Sequence, residues 1–259
     1  MSEPFKIGGN IDYIYDFACP ASPTKLDILR MQILAAGCFG TYYLLELARS
    51  KKAGFVFASS SEVYGDPLEN PQREDYWGNV NTTGKRSIYD EGKRFSESMV
   101  TAFHKEYGLD IRIVRIFNTY GERMQADDGR AIPTFISQAI LNEKITIFGD
   151  GSHTRSPQYI SDLVGGILAL VDNAVVEPVN IGNPIEMTIL ELALLIVKLA
   201  DSKSEIAFTG ADPEDDPKVR KPDITKAKIL LNWSPNVTPE EGLSKTIQWF
   251  KTKLTTGTR

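Results

Sequence analysis

GFVFASSSEVYG, running from Gly54 to Gly65, decides how the chain is to be read. A glycine opens a short apolar run of strand type, and three serines close it. A polar, proline-bearing loop then continues to Ser87, and a loop of that length usually carries function.

Working outward, Ile11 to Phe17 alternates apolar and polar positions and stops at Ala18-Cys19-Pro20, where proline ends a ladder, so it reads as a strand. Residues 25–50 space apolar side chains three and four apart, which predicts one long buried helix with Gly37 and Gly40 as close-packing points. Downstream, the spacing predicts an amphipathic helix over 87–107, a strand at IRIVRIF (111–117), a helix over 131–141 and a strand and turn at ITIFGDG (145–151). Helices over 161–171 and 189–199 flank a strand at VNIG (179–182), and the acidic loop DPEDDP (212–217) precedes two short helices. Strands alternating with helices imply an α/β fold on a parallel sheet.

With 259 residues, 42% hydrophobic and 24% charged, the chain can hold one large core or two modest ones. A net charge of −5 argues against nucleic acid or an anionic membrane as partner. Cys19 and Cys38 have neither CxxC spacing nor companions, so no metal site or disulfide framework is expected. No basic-then-apolar leader and no run of about 18 apolar residues is seen, which leads to the expectation of a soluble, cytoplasmic protein.

Tyr89 and Lys93 stand four apart near the start of a helix, on one face, where the ammonium is expected to lower the phenol pKa. Such a pair alone is also an ordinary helix-surface pair. Ser59 to Gly65 falls at the carboxyl end of a parallel strand, where open α/β sheets place ligands. Serines bonding their own backbone would account for any one of them.

The motifs ACPASP (18–23), SSSEVYGDPLENPQREDYWGNVN (59–81), RSIYDEGKR (86–94), RIFNTYGERM (115–124), DDGR (127–130), GDGSHTRSPQYISDLV (149–164), NIGNP (180–184) and VRKPDI (219–224) occur in this order. Taken together, they resemble the extended short-chain dehydrogenase/reductase family and, within it, the UDP-glucuronate decarboxylases. The resemblance implies a Rossmann-like sheet over 1–121 and 144–182, shortened at its N-terminal edge, and a small mixed α/β substrate-binding lobe over 122–143 and 183–259. It implies Tyr89 as acid/base at the sugar 4-hydroxyl, Lys93 as its partner, Ser60 bonding the same oxygen, Glu62 as the decarboxylase-type acid and Arg220 acting near C5. Ser61, Asn118, Arg155 and Tyr159 would bind the substrate UDP-glucuronate, with Asn118 and Arg155 on the diphosphate or ribose. Ala18, Ser59, Tyr89 and Lys93 would meet NAD. Oxidation at C4 makes the C5 carboxylate a β-keto acid, which loses carbon dioxide readily, and NAD carries the difficult chemistry.

The sequence departs from the family pattern at Asp16, Gly37, Glu122, His153 and Pro157. The family's opening strand, GxxGxxG turn and helix have no counterpart here, because Gly8 and Gly9 follow no strand and precede no helix. Very weak NAD binding is therefore expected of these residues alone. Two readings follow: a decarboxylase that still holds NAD, or an impaired homologue that binds a nucleotide sugar or pairs with a full-length relative. A homodimer or mixed dimer through the helices at 25–50 and 87–107 is expected. Something is also expected to cover the edge of the 11–17 strand.

Overall fold

The structure, a computed structural model, describes residues 6–256. The first half of the chain forms β1 (Tyr13–Asp16), α1 (Arg30–Ala35), α2 (Thr41–Lys51), β2 (Gly54–Ser60), α3 (Ser87–Tyr107), β3 (Ile111–Ile116) and β4 (Thr119–Tyr120). There follow α4 (Ala131–Leu141), β5 (Ile145–Phe148), β6 (Thr154–Arg155), β7 (Gln158–Tyr159), α5 (Ile160–Val171) and β8 (Val179–Ile181). The chain closes with β9 (Met187–Thr188), α6 (Ile189–Ala200), β10 (Ile206–Thr209), α7 (Thr225–Leu231) and α8 (Pro239–Thr256).

Four strands make one parallel sheet in the order β1, β2, β3, β8. Every residue of β2 is buried, as an unbroken apolar run requires when helices cover both faces. On one face Phe55, Phe57, Ile111 and Ile113 meet Leu45 of α2 and Val100 of α3. On the other, Val56 and Val114 meet Leu163 of α5 and Ala227 of α7. Successive residues of β2 and β3 thus serve opposite cores, which is the two-residue period of a strand. Among the described residues β1 is an outer strand, with Tyr13, Tyr15 and Phe17 exposed along it.

A second core gathers α4, α6 and α8 around β5, which pairs in parallel with β10. Two segments sit differently from the division expected from sequence. Strand β5 belongs to this second core, and α7 packs beneath the main sheet. The partner of a four-residue strand is set here by a segment some sixty residues away, which no local pattern reveals.

The helix expected over 25–50 begins only at Arg30, after a 3-10 turn at Pro23–Lys25, and passes through a π-helical stretch at Ala36–Gly40. It is not buried throughout: Leu26 and Ile33 are covered, but Ile28 and Met31 are 70% and 72% exposed. A Cβ placed on Gly37 would meet the backbone of Gly92 at 3.7 Å, and Ser96 Oγ donates to the Gly37 carbonyl. The π stretch thus lies against the turn of α3 that carries Tyr89 and Lys93. The last helix, expected to be short, runs for 18 residues.

Ile113 lies in mid-sheet with 0% exposure. Ile113→Ala should cost about 2–5 kcal/mol in urea denaturation, from lost burial and the cavity left behind. A loss below about 1 kcal/mol would contradict this packing.

Candidate active site

A cleft of about 520 Å³ opens where the carboxyl ends of β2 and β3 meet the second core. Sequence placed Ser59, Ser60, Ser61, Glu62, Tyr89, Lys93, Asn118, Arg155 and Arg220 at a site, and all nine line this cleft. Ala18 falls between the lining residues Phe17 and Cys19 without lining it. Tyr159 is not among the lining residues. Its ring is buried in the second core and its hydroxyl reaches both carboxyl oxygens of Glu122 at 2.7 Å, so Glu122 commits it elsewhere. Ser59 turns its hydroxyl away from the cleft, donating to Glu97, which in turn holds Arg115 through two bonds of 2.9 and 2.7 Å.

The Tyr89–Lys93 pair lies in the cleft, but not with the electrostatics its spacing suggested. Lys93 Nζ donates to the Ala58 carbonyl at 2.6 Å and sits 4.9 Å over the Phe57 ring and 5.8 Å over the Tyr89 ring. Burial raises the Tyr89 phenol above its ordinary range; Cys19 and Glu62 add to this, while a Ser60 hydrogen bond and Arg130 pull the other way. The ammonium thus lies against the ring face, bonded to the strand, and the expected lowering of the phenol pKa is absent. Burial also lowers Lys93, opposed by Cys19, Asp16 and Glu97. Asp16 is buried and accepts a 2.8 Å bond from Thr41.

The strongest electrostatic feature is Glu62. It occupies the 3-10 turn following β2, where Ser60 Oγ accepts from its backbone amide at 3.2 Å. Arg86 donates to its carboxylate at 2.6 Å and Arg220 at 3.1 Å. Burial disfavours the charge, but Arg220, Arg86 and Arg155 outweigh it and hold the Glu62 carboxyl well below the usual range. Arg155 pairs with Asp216 at 2.6 Å, and Arg86 reaches Asp216 at 3.8 Å.

Arg86, Asp90 and Asp216 were not singled out from sequence. A signal existed for the first two: they stand four apart around Tyr89 in RSIYDEGKR, so a helix turn brings them together. Asp216 came from an acidic loop with no local pattern to direct it inward.

A family model, "Epimerase: NAD dependent epimerase/dehydratase family", matches residues 2–182. The chain belongs to that family. It is similar to UDP-glucuronic acid decarboxylase 1 of Danio rerio, at 49% identity over 252 residues, covering 97% of this chain and 60% of that protein. The chain thus spans well under two thirds of that relative's length. Among solved structures it is similar to a UDP-glucose 4-epimerase from Thermotoga maritima with UDP-glucose, at 27% identity and a TM-score of 0.87, covering 94% of this chain and 78% of that one. It is also similar to the UDP-glucuronic acid 4-epimerase of Bacillus cereus in complex with UDP-glucuronic acid and NAD, at 29% identity and a TM-score of 0.84, covering 93% and 76%. The parallel sheet with its flanking helices is thus shared with solved structures of that kind. Among the described residues no helix is long and apolar enough to cross a membrane, and no group of side chains could hold a metal ion.

Replacing Glu62 with Gln would strand two buried guanidiniums, and should cost about 3 kcal/mol of stability at pH 7. Because the folded-state pKa of Glu62 lies below the ordinary 4.5, its contribution is present above that value and lost as pH falls through the lower folded-state pKa. Urea denaturation of both proteins should therefore show a gap that narrows on acidification below pH 4.5. An equal gap at pH 7 and in strong acid would contradict the assignment.

Proposed function

We propose that this chain carries the sugar-handling chemistry of a UDP-glucuronate decarboxylase, converting UDP-glucuronate to UDP-xylose through oxidation at C4, loss of carbon dioxide and reduction. The observation that carries the reading is Glu62, ionised between Arg86 and Arg220 in the same cleft as Ser60, Tyr89 and Lys93. Similarity to the Danio rerio protein over 97% of the chain supports it.

In this reading the second core serves as the nucleotide-sugar lobe, and Asn118, Ser61 and Arg155 face the substrate. Tyr89 exchanges a proton with the sugar 4-hydroxyl while Ser60 bonds the same oxygen. With a carbonyl at C4, breaking the C5–carboxylate bond leaves its electron pair delocalised onto the C4 oxygen. Once it has taken that proton, the Tyr89 phenol, whose pKa burial raises, suits that oxygen as a hydrogen-bond donor. Arg220, 1% exposed and with a buried Nη1 that lacks a hydrogen-bond partner, supplies a cation for the carboxylate before it leaves.

The residues around Lys93 fit the nicotinamide end of NAD. Its ammonium uses one donor on Ala58 and faces the cleft beside Cys19, Ala21 and Leu26, an apolar flank suited to a flat ring. When bound, a nicotinamide would take and return the C4 hydride, and its positive charge would draw the Tyr89 pKa down. Residues 6–256 hold no glycine-rich turn between a strand and a helix N-terminus, so pyrophosphate recognition is not supplied by them and the Kd for NAD should be on the order of 1 mM. A second copy of the chain would pack on the exposed Met31, Phe39 and Phe95 of the helical face.

Incubating the 259-residue chain with excess NAD and UDP-glucuronate carrying ¹³C in its carboxyl should yield labelled carbon dioxide and a UDP-pentose. Tyr89→Phe should lower that rate by about 10²–10⁴-fold. No carbon dioxide from the wild type, or an unaffected Tyr89→Phe, would overturn the reading. Calorimetry giving micromolar NAD affinity would overturn the account of the cofactor side.

A further inference from the structure

Asp90 follows Tyr89 in the first turn of α3 and is 5% exposed. Its Oδ1 is buried without a hydrogen-bond partner, unusual for a carboxylate with Arg86 and Arg220 nearby. The residue also lines two spaces at once. One is the reaction cleft; the other is an adjoining cavity of about 390 Å³ bounded by Asn79, Asn81, Asp215 and Lys218. Arg86, His153 and Asp216 stand in the same partition.

We infer that Asp90 is a proton relay through this partition, passing protons from water in the second cavity to the sugar in the cleft. The inference rests on the decarboxylase reading and adds the source of a proton that reading needs. When carbon dioxide leaves, the electron pair of the broken bond is shared between C5 and the C4 oxygen. C5 must then gain one proton. A water in the cleft gives it and takes one from the Asp90 carboxyl, and the resulting carboxylate is reprotonated by water in the second cavity. The sum is one carboxylate and one solvent proton converted to one C–H bond and one carbon dioxide, with no oxidant or reductant consumed.

The electrostatics suit such a carrier. Burial pushes the Asp90 carboxyl up to about 8, with Glu62 and Glu91 raising it further and Arg86 and Arg220 opposing. The acid is therefore loaded near neutral pH, and the two guanidiniums stabilise its transient anion. The other charged groups here are His153, Asp212 and Asp216, which line both spaces, Arg155 on the cleft side, and Asp66, Asp215 and Lys218 on the far side. Glu62 and Asp90 are like-charged neighbours, so holding one ionised keeps the other neutral.

Infrared titration of the full chain tests this without turnover. The wild type should show a buried protonated-carboxyl band that disappears as pH rises through about 8 and is missing from Asp90→Asn. Glu62→Gln, which removes the like charge, should move the transition to lower pH. No such band in the wild type, or one that Asp90→Asn leaves in place, overturns the relay and leaves the decarboxylase reading standing. With UDP-glucuronate and NAD in D₂O, Asp90→Asn should slow deuterium entry at C5 by about tenfold or more while leaving C4 oxidation nearly unchanged, and Asp90→Glu should restore it. Equal loss of both steps, or no loss, overturns the relay. Absent carbon dioxide release from the wild type, with the infrared transition present, overturns the decarboxylase reading and the relay with it.

Discussion

The two guanidinium contacts to Glu62 hold together the three parts on which the site depends. Glu62 belongs to the turn at the end of β2, Arg86 to the entry of α3, and Arg220 to the segment leading into α7. These are joined nowhere nearby in the chain, since Glu62 and Arg220 are 158 residues apart. Removing two such charges from water is costly, and the cost is met only when geometry and further hydrogen bonds are good. Arg220 adds a bond to the Gly65 carbonyl at 3.2 Å, which ties it to the strand end a second time.

The same contacts set the charge of the cleft. Among the residues lining the cleft, Arg86, Lys93, Arg130, Arg155 and Arg220 contribute five positive charges and Glu62, Asp212 and Asp216 three negative ones, which leaves two positive charges with Asp90 neutral and before any on His153 is counted. A neutral Asp90 preserves that surplus, and an ionised one would halve it. A cleft with a surplus of positive charge suits a sugar bearing a carboxylate better than one bearing a hydroxymethyl group.

Much of this was legible in the sequence. The β2 run, the helix at Ser87–Tyr107 and the helix at Ala131–Leu141 follow directly from apolar spacing and from the glycine beyond Tyr107, which adopts φ +65 as a helix stop. The family resemblance named nine residues that the fold brings to one cleft. What escaped was set by distant partners. Tyr159 is drawn off by Glu122, Ser59 by Glu97, and Lys93 by the Ala58 carbonyl, so the expected charge effect on Tyr89 fails although the residue spacing is right. The helix predicted from residue 25 starts only at Arg30, because residues 23–25 turn as a 3-10 helix ahead of it.

The cleft's charge can be measured without catalysis by titrating UDP-glucuronate and UDP-glucose into the chain at pH 7 and comparing Kd values. A net cation predicts that the glucuronate binds at least about tenfold more tightly, roughly 1.4 kcal/mol, and that Arg220→Gln abolishes the difference. Equal affinities for the two sugars in the wild type would contradict it.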